Sequence, residues 1–343
     1  MTLHHIALIG LGLGSGPHVQ SLKDLSGRVV VASAFSRSAA RRDGFAAKTG
    51  LPVTGDLDAI LADDTIEMVA ILTPPASHLE LVQRAAARGK HILLEKPLDI
   101  TTERSEAIVA AVESSGVTAG VMLQHRLKPS ARRLAAVLAD RALGTIIGVS
   151  VRVPLWRPQS YYDVEGRGTR ARDGGGVLVS QAIHTIDLMR SLCGPVMRVA
   201  GFAREGAGHV METEDIASAA LRFDNGAIGT IDATTCAFPG SLERIEIIGT
   251  LGTASLAGTG LSLRWQDGRK EDLQPDDFPG GTGADPMAFS HAFHRGVWED
   301  FLDAVDARRA PAITPRDALQ THYLIEAMLQ SAAQDGAPVE VRR

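Results

Sequence analysis

The strongest constraint on the fold is the alternation of short apolar runs with amphipathic stretches over the first 123 residues. Runs that lack polar positions are typical of strands buried on both faces, as in a parallel sheet covered by helices. The stretches between them, such as 77–88 and 102–115, have the spacing of amphipathic helices. We therefore predict that residues 1–123 form an α/β domain, a Rossmann doubly wound parallel sheet. The apolar runs are IALIG, RVVVASAF, IEMVAIL, HILLEK and VTAGVML.

The pattern changes after about residue 145, where strand-like segments follow one another through tight turns. Asn225-Gly226 lies between two alternating segments and is a strong signal for a β-hairpin. The Gly/Pro-rich stretch 275–286 is typical of a loop. We predict that residues 124–343 form an α+β domain with an open, mainly antiparallel sheet. Its predicted helices are a segment near 176–192, FHRGVWEDFLDAVDARR and PRDALQTHYLIEAMLQSAA.

A glycine-rich turn, within HIALIGLGLGSGPH, follows the first apolar run. Because the strand ends at Ile9 and a helix begins near Ser15, the phosphate-binding frame is Gly10-x-Gly12-x-x-Ser15. Gly10 permits the sharp turn, and Gly12 lets backbone N–H groups reach a pyrophosphate. Leu13 lies in the same cofactor-binding loop, and Ser15 takes the place of the third glycine. A plain glycine-rich turn is the alternative, but the strand before it and the helix after it favour a dinucleotide site.

The end of the second apolar run bears on the choice between NAD and NADP. In dinucleotide-binding domains an acidic residue about 20 positions after the glycines holds the ribose 2′-OH of NAD. No Asp or Glu occurs between Arg28 and Arg42, and the run ends in Phe35-Ser36-Arg37. Arg37 can pair with the 2′-phosphate of NADP while Ser36 hydrogen-bonds it, so we expect NAD(P) binding with a preference for NADP. Alternatively, Ser36 and Arg37 are only the polar start of the next helix.

Two short motifs close later strands at the carboxyl edge of the sheet, where ligands bind in such folds. LTPPASH supplies Thr73, Pro74 and His78 at the end of the fourth strand. EKP places Glu95 and Lys96 after the following strand. A lysine at this edge faces the ligand crevice, although a surface lysine that closes a strand is the alternative from position alone.

The second domain contributes a helical segment with polar positions, GGGVLVSQAIHTIDLMRSL. On a helix from about Gly176, the side chains of Ser180, His184 and Asp187 occupy positions i, i+4 and i+7 and form one stripe. This stripe follows three glycines and lacks Lys and Glu, which is typical of a helix that meets a ligand. An amphipathic helix with an ordinary hydrogen-bonded histidine is the alternative.

Taken in order, the motifs GLGLGS..H, TPPASH, EKP, QHR, GGG…H and the tail AITPRDALQTHYLIEAMLQSA resemble the glucose–fructose oxidoreductase/inositol dehydrogenase/rhizopine-catabolism (Gfo/Idh/MocA) family. The resemblance covers nearly the whole chain and implies an NAD(P)-dependent dehydrogenase that acts on sugars, polyols or cyclic diols. It implies that Lys96 is the catalytic-site lysine and that His184 is the general acid/base. It also implies a homodimer or homotetramer built through the outer face of the second domain's sheet. The cofactor-side positions that it implies are Gly10, Gly12, Thr73, Pro74, His78, Glu95 and Lys96.

One catalytic-site position departs from the family pattern. Many members carry Asp four residues before the histidine, where this chain has Ser180. A carboxylate would raise the basicity of the histidine and orient its ring, whereas a hydroxyl only hydrogen-bonds. The sequence leaves open how this change affects proton transfer. The substrate-binding residues that we expect are Gln124, Arg126, Arg157, Tyr161, Tyr162, Arg167, Thr169 and His184.

The expected mechanism is hydride transfer between a secondary alcohol and the nicotinamide, with His184 accepting the hydroxyl proton and Lys96 polarising that oxygen. Two alternatives remain open from the sequence. One is a redox-neutral, glycosidase-like enzyme with tightly bound NAD. The other is a cofactor-sensing regulator, whose expected mark is loss of the catalytic lysine, and Lys96 is present.

The composition argues against several other classes of protein. The 343 residues carry a net charge of −5 without a long Lys/Arg block, so we expect neither a nucleic-acid nor a membrane partner. Cys193 and Cys236 cannot form a disulfide framework, and no run of about 18 apolar residues occurs, so we expect a cytoplasmic protein. His291 and His294 lack the Cys or carboxylate cluster of a zinc site, so no metal is expected.

Overall fold

The computed structural model describes residues 3–275 and 281–343. The chain divides into two compact units. The first comprises the chain up to Gln124 together with His291–Leu319, and the second comprises His125–Ser290 and Gln320–Arg343. Within the predicted loop 275–286, residues 276–280 lie outside the described residues.

The secondary structure follows the predicted alternation and then the predicted change of pattern. The strands are β1 (His4–Ile9), β2 (Val29–Phe35), β3 (Val53–Thr54), β4 (Met68–Ile71), β5 (His91–Leu94), β6 (Ala119–Val121), β7 (Ile146–Pro154), β8 (Val196–Glu205), β9 (Glu214–Phe223), β10 (Ile228–Thr234), β11 (Arg244–Gly249), β12 (Gly252–Ala257), β13 (Gly260–Trp265), β14 (Lys270–Leu273) and β15 (Val339–Glu340). The α-helices are α1 (Ser15–Asp24), α2 (Ala39–Thr49), α3 (Leu57–Ala62), α4 (His78–Ala87), α5 (Thr102–Ser115), α6 (Pro129–Ala139), α7 (Gln159–Tyr162), α8 (Arg170–Asp173), α9 (Ile183–Cys193), α10 (Ala292–Ala307) and α11 (Pro315–Ala333).

The first unit contains a parallel sheet of six strands in the order β3-β2-β1-β4-β5-β6. The strand order reverses between β1 and β4, as in Rossmann domains, so a ligand crevice is expected at the carboxyl ends of these strands. Leu8 of β1 and Val69 of β4 are completely buried, as in strands covered on both faces. The predicted doubly wound parallel sheet is confirmed.

Helix α10 belongs to the first unit, whereas the predicted boundary at residue 123 placed it in the second domain. Its buried face carries Trp298 and Phe301. Near its end, Asp306 contacts Nε2 of His4 at 2.9 Å and accepts a hydrogen bond from Arg28 at 3.0 Å. These partners lie 302 and 278 positions away along the chain, so no local pattern indicates that the chain returns to the first unit.

The second unit contains a sheet in the order β14-β13-β12-β11-β7-β10-β9-β8-β15, in which only the neighbours β7 and β10 are parallel among the described strands. Burial alternates along β9, so one face of the sheet is covered and the other is exposed. Helices α6 and α9 pack against the strands β7 and β11 to β13. The predicted hairpin is confirmed at Asn225-Gly226, where Gly226 has a φ of 85° and Oδ1 of Asn225 accepts the N–H of Ala227 at 3.0 Å.

A membrane-spanning segment requires a long apolar helix, and none of the helices in the described part of the chain meets both requirements.

Candidate functional site

The glycine turn of the first unit has the geometry that a phosphate-binding frame requires. Gly10 has a φ of +107°, and a Cβ at this position would lie 2.8 Å from the carbonyl carbon of Leu72, so only glycine fits. A Cβ on Gly12 would meet no atom within 4 Å, so this side of the turn is open. Helix α1 begins at Ser15 as predicted, and its N-cap Gly14 provides no side-chain cap. Of the first three residues of α1, the first donates its N–H to the carbonyl oxygen of Gly12 at 3.1 Å and the third is proline, so only the second can offer a backbone N–H to an anion.

Two other residues of the predicted loop differ in exposure. Oγ of Ser15 donates to the carbonyl oxygen of Gly12 at 2.7 Å and stabilises the turn. Leu13 is 68% exposed, so its side chain is accessible at the surface of the turn.

The turn after β2 is held by an arginine that the sequence analysis did not single out. Arg42 donates to the carbonyl oxygens of Ser36 at 2.7 Å and Arg37 at 3.1 Å. Oγ of Ser36 accepts the N–H of Ser38 at 3.3 Å. Ser36 is buried and Arg37 is exposed, so Arg37 is accessible to a phosphate from solvent.

The motif TPPASH forms a turn that His78 supports from inside the unit. Nε2 of His78 lies 2.8 Å from the carbonyl oxygen of Thr73, and Nδ1 lies 3.0 Å from that of Leu98. The His78 side chain is fully buried, and this burial lowers its pKa. The contribution of His78 to a cofactor site is therefore indirect, because it positions Thr73 and the adjacent Pro74.

Glu95 lies in a buried hydrogen-bond network at the carboxyl end of β5. Its Oε1 accepts from Nε2 of His18 at 2.9 Å, and its Oε2 accepts the backbone N–H of Lys96 at 3.0 Å. Nε1 of Trp298 donates to Nδ1 of His18 at 3.2 Å. Burial disfavours the charged form of Glu95, but the bond from His18 and the charges nearby outweigh it and lower the Glu95 pKa to about 2.

His18, Glu95 and His294 bring three potential metal-ligand atoms within 4.8 Å of one another. This donor set does not fit a metal ion, because the N–H of Trp298 occupies the lone pair on Nδ1 of His18. The neutral ring then carries its proton on Nε2, the atom that would have to bind the metal. Burial, the largest cause, lowers the pKa of His294 to about 3, so the His294 ring is neutral. His18 belongs to the motif GLGLGS..H, but Trp298 comes from the distant helix α10.

In the second unit, the triple glycine lies against strand β9. A Cβ on Gly176 would lie 1.8 Å from the carbonyl oxygen of Glu214, so the helix can approach the strand only with glycine here. The Glu214 carboxylate accepts the N–H groups of Gly176 and Leu178, each at 3.0 Å. Burial raises the pKa of Glu214 despite these bonds.

The helix after the glycines differs from the predicted uniform α-helix. Leu178–Ala182 is π-helical, and α9 begins only at Ile183. A π turn adds a residue to the turn, so the helix over this segment is wound differently from the regular α-helix that the periodicity predicts. Oγ of Ser180 donates to the carbonyl oxygen of Gly176 at 2.5 Å. The Ser180 hydroxyl, at the position where many family members have Asp, is thus hydrogen-bonded to the backbone of the preceding turn.

The ring of His184 stacks against that of His125, with centroids 4.9 Å apart and planes inclined by 32°. Nδ1 of His125 lies 3.5 Å from Oε2 of Glu243, and Thr185 donates a hydrogen bond to the same oxygen. The His184 ring therefore stacks on a histidine that contacts the Glu243 carboxylate, although position 180 itself has no carboxylate. His125 belongs to the motif QHR, but no sequence signal points to Glu243, which lies 59 positions after His184.

Arg126 and Asp187 form a buried ion pair. Nε and Nη2 of Arg126 donate to the two oxygens of Asp187 at 2.6 and 2.5 Å, and Thr321 donates to Oδ1 at 2.9 Å. Asp187 is completely buried. Arg126 was predicted to bind substrate, but its guanidinium is committed to Asp187 in the structure, because a buried carboxylate needs a paired cation.

The other predicted substrate residues of the second unit lie between β7 and the π turn. Arg157 is buried and donates to the carbonyl oxygen of Gly281 at 2.8 Å, so it stabilises the backbone around Gly281. The hydroxyl of Tyr162 donates to Thr235 at 3.0 Å, and burial raises its pKa to about 12.

Three more residues from the same expectation contact one another or their own backbone. The guanidinium of Arg167 lies 4.2 Å from the ring centre of Tyr161. Thr169 caps α8 by accepting the N–H of Arg172 at 3.3 Å.

Gln124, in the first unit, is buried, and its Oε1 has no hydrogen-bond partner among the described residues. Such an open acceptor is available to a ligand.

Gly176→Ala is expected to lower the free energy of unfolding by about 1–3 kcal/mol, because the new methyl group would overlap Glu214. Urea unfolding measures this change. The matched control is Gly44→Ala within α2, where a Cβ would meet no atom within 4 Å and alanine favours the helix. Equal unfolding midpoints for Gly176→Ala and the wild type would contradict the close approach.

Comparison with known proteins identifies related families and structures. Residues 4–123 match the model of an oxidoreductase family with an NAD-binding Rossmann fold, and residues 131–255 match the Gfo/Idh/MocA C-terminal domain.

The chain is 28% identical over 347 residues to a D-apiose dehydrogenase of Paraburkholderia graminis, covering 98% of this chain and 89% of that protein. It is 26% identical over 358 residues to a levoglucosan dehydrogenase of Pseudarthrobacter phenanthrenivorans, covering 90% and 88%. The crystal structure of the WlbA dehydrogenase from Bordetella pertussis, in complex with NADH and UDP-GlcNAcA, superposes with a TM-score of 0.84 at 26% identity, covering 99% of both chains.

Proposed function

This chain belongs to the Gfo/Idh/MocA oxidoreductase family and is a dehydrogenase, and we propose that it moves a hydride between a secondary alcohol of a sugar, polyol or cyclic diol and the nicotinamide of NAD(P). The observation that best supports this proposal is the hydrogen bond between His18 and Glu95. It ties the loop of Lys96 to α1, the helix that begins at the glycine turn. Relatives named for sugar substrates support the substrate class.

The residues present fit a dinucleotide. We propose that the turn of Gly10 and Gly12, with the N–H of the second residue of α1, holds its pyrophosphate and that Thr73 and Pro74 contact its nicotinamide half. The bound cofactor supplies the carbon that accepts or gives the hydride. The Lys96 ammonium stabilises the negative charge that develops on the alcohol oxygen during the reaction.

His184 is the proposed general base for the alcohol proton. When it accepts that proton its ring becomes a cation, and the Glu243 carboxylate, which reaches it through His125, stabilises that charge. Ser180 contributes to this site by stabilising the π turn that precedes His184.

A panel of aldoses, anhydrosugars, inositols and cyclic diols, assayed with NADP and with NAD at 340 nm, tests the proposal. At least one class is expected to reduce the nicotinamide. Conversion of a glycoside without a net change at 340 nm, with NAD retained on the purified protein, would indicate the redox-neutral enzyme instead. Tight cofactor binding without conversion of any compound would indicate a regulator.

We propose a preference for NADP, supported by Ser36 and the exposed Arg37 after β2. Arg37→Gln is expected to weaken NADPH binding by about tenfold and to leave NADH binding unchanged, because only NADPH carries the 2′-phosphate. Calorimetric titration measures both affinities. Arg41→Gln, also exposed and four positions further on, is the matched control. An equal loss for both cofactors would contradict the role of Arg37.

We further propose that the first unit binds the cofactor, that the second binds the substrate, and that the protein forms a homodimer or homotetramer. The exposed face of the second unit's sheet supports an oligomer. Phe202, Ile228 and Ile248 are 62%, 68% and 50% exposed there, and apolar patches of this kind mark protein interfaces.

A further inference from the structure

The first unit contains a cavity at the edge of its sheet opposite the glycine turn. The cavity has a volume of about 710 Å³, and it is lined by His91, where β5 begins, and by Ala119, where β6 begins. It therefore lies at the amino edge of the parallel sheet, whereas the glycine turn follows the carboxyl end of β1. The chain rises about 13 Å from His91 to Glu95, so the cavity is separate from the proposed catalytic lysine. A cavity of this size accommodates a small organic molecule.

One side of the cavity is apolar. Val109 and Val112 of α5 and Ala119 of β6 line it, and these side chains are 3%, 8% and 5% exposed. Pro311, which follows α10, is also buried and lines the same space. Apolar surface of this kind favours the binding of an apolar group, because water leaves the surface when the group binds.

Positive side chains surround this apolar surface. Arg308, Arg309 and Arg316 line the cavity, and Glu113 carries the only carboxylate among the described residues that line it. Nε and Nη2 of Arg316 donate to the two oxygens of Glu113, and this pairing lowers the pKa of Glu113. Nη2 of Arg309 donates to Oδ1 of Asp300 at 2.8 Å. Two of the three positive charges are therefore already balanced by carboxylates.

Arg308 supplies the remaining positive charge. Its side chain is exposed and makes no ion pair with any residue of the described ranges 3–275 and 281–343. Arg308 ends helix α10 with a φ of 50°, in the left-handed region that favours glycine. A cation is thus present at the cavity in a backbone position that glycine would fit better.

His91 adds a neutral hydrogen-bond donor to the same cavity. Its Nδ1 accepts the backbone N–H of Thr118 at 3.0 Å, so the ring carries a hydrogen on Nε2. No residue in the described part of the chain accepts this hydrogen. Burial lowers the pKa of His91, which favours the neutral ring. The Glu67 carboxylate, which also acts on His91, is bound to Nδ1 of His4 at 2.6 Å.

We propose that this cavity binds a small organic anion, a single carboxylate attached to an apolar ring. The apolar side chains hold the ring, Arg308 balances the charge of the carboxylate, and Nε2–H of His91 supplies a further donor. The proposal goes beyond the proposed dehydrogenase function and does not depend on it, because the described lining residues are all outside the proposed catalytic and cofactor-binding sets.

Calorimetric titration with 1-naphthoate tests the proposal, and 1-naphthamide is the uncharged compound of the same shape. A low-salt buffer is used, because salt screens exposed ion pairs. The wild type is expected to bind 1-naphthoate at least about threefold more tightly than 1-naphthamide. Each titration is repeated with saturating NADPH, and the Kd for 1-naphthoate is expected to stay the same because the two sites are at opposite edges of the sheet.

Two variants locate the bound probe. Arg308→Gln is expected to weaken 1-naphthoate binding by about three- to tenfold and to leave 1-naphthamide binding unchanged, because only the charged compound pairs with the guanidinium. Val117→Phe places a larger side chain in the cavity and is expected to weaken the binding of both compounds. Arg141→Gln is the matched control, since Arg141 is also exposed, has a φ of 52° and lies outside the cavity. It is expected to bind both compounds as the wild type does.

Three results would overturn the proposal. They are absence of 1-naphthoate binding to the wild type at millimolar concentration, displacement of 1-naphthoate by NADPH, and equal 1-naphthoate affinities in the wild type, Arg308→Gln and Val117→Phe. The binding measurements need no turnover. Absence of dehydrogenase activity together with the expected affinities would therefore reject the proposed function and leave the anion site in place.

Discussion

Replacement of Lys96 by methionine is expected to lower kcat by about 10²–10³-fold and to change the Kd for NADPH by less than about threefold. Methionine keeps a side chain of similar length and removes the ammonium. An ammonium that stabilises charge only as it develops contributes to the transition state rather than to cofactor binding, so the loss should appear in kcat. Steady-state kinetics and fluorescence titration with NADPH measure the two quantities separately.

Lys90→Met is the matched control for this experiment. Lys90 is buried whereas Lys96 is half-buried, and Lys90 precedes β5 whereas Lys96 follows it. Its ammonium donates to the carbonyl oxygen of Asp63 at 2.8 Å at the opposite edge of the sheet. Lys90→Met is expected to lower stability and to keep the kcat of the folded enzyme. Equal losses of kcat in the two variants would mean that Lys96 has only a structural role.

Features set by local chemistry could be predicted from the sequence. Unbroken apolar runs of Val and Ile indicated strands covered on both faces, and β1, β4 and β5 lie inside the sheet. The glycine frame could be chosen because the strand period stops at Ile9, and Gly10 has the positive φ that a sharp turn there requires. The hairpin at Asn225-Gly226 was predictable for the same reason, since few residue pairs adopt such a turn.

Features that depend on contacts between distant segments could not be predicted. At the start of the π turn over Leu178–Ala182, the N–H of Leu178 is bonded to the carboxylate of Glu214, which is 36 positions away. A helical periodicity alone predicts a regular α-helix there. Arg126 was predicted to bind substrate. Its partner Asp187 lies 61 positions away, so the sequence alone did not indicate that the two residues form a buried ion pair. The Trp298–His18 contact spans 280 positions, and neither residue has a local signal for it.

His184→Ala is expected to lower kcat/KM for alcohol oxidation by about 10²–10⁴-fold while NADPH still binds. The variant removes the proposed base and leaves Lys96, the glycine turn and the cofactor contacts unchanged. In the wild type, oxidation should slow as pH falls, because a protonated imidazole cannot accept the alcohol proton. The variant should lose this dependence on the imidazole, and its residual rate should increase with hydroxide concentration.

Chemical rescue distinguishes a missing base from a disturbed fold. Removal of the imidazole leaves a space beside the ring of His125, and added imidazole can occupy it and accept the proton. Imidazole is expected to restore part of the rate to His184→Ala and none to Lys96→Met. His5→Ala, at the amino end of β1 and so opposite the carboxyl edge, is the control that should keep wild-type kinetics. A His184→Ala enzyme with wild-type turnover would exclude this histidine as the base, because no positioned proton acceptor can be removed without a rate loss when proton transfer accompanies the hydride step.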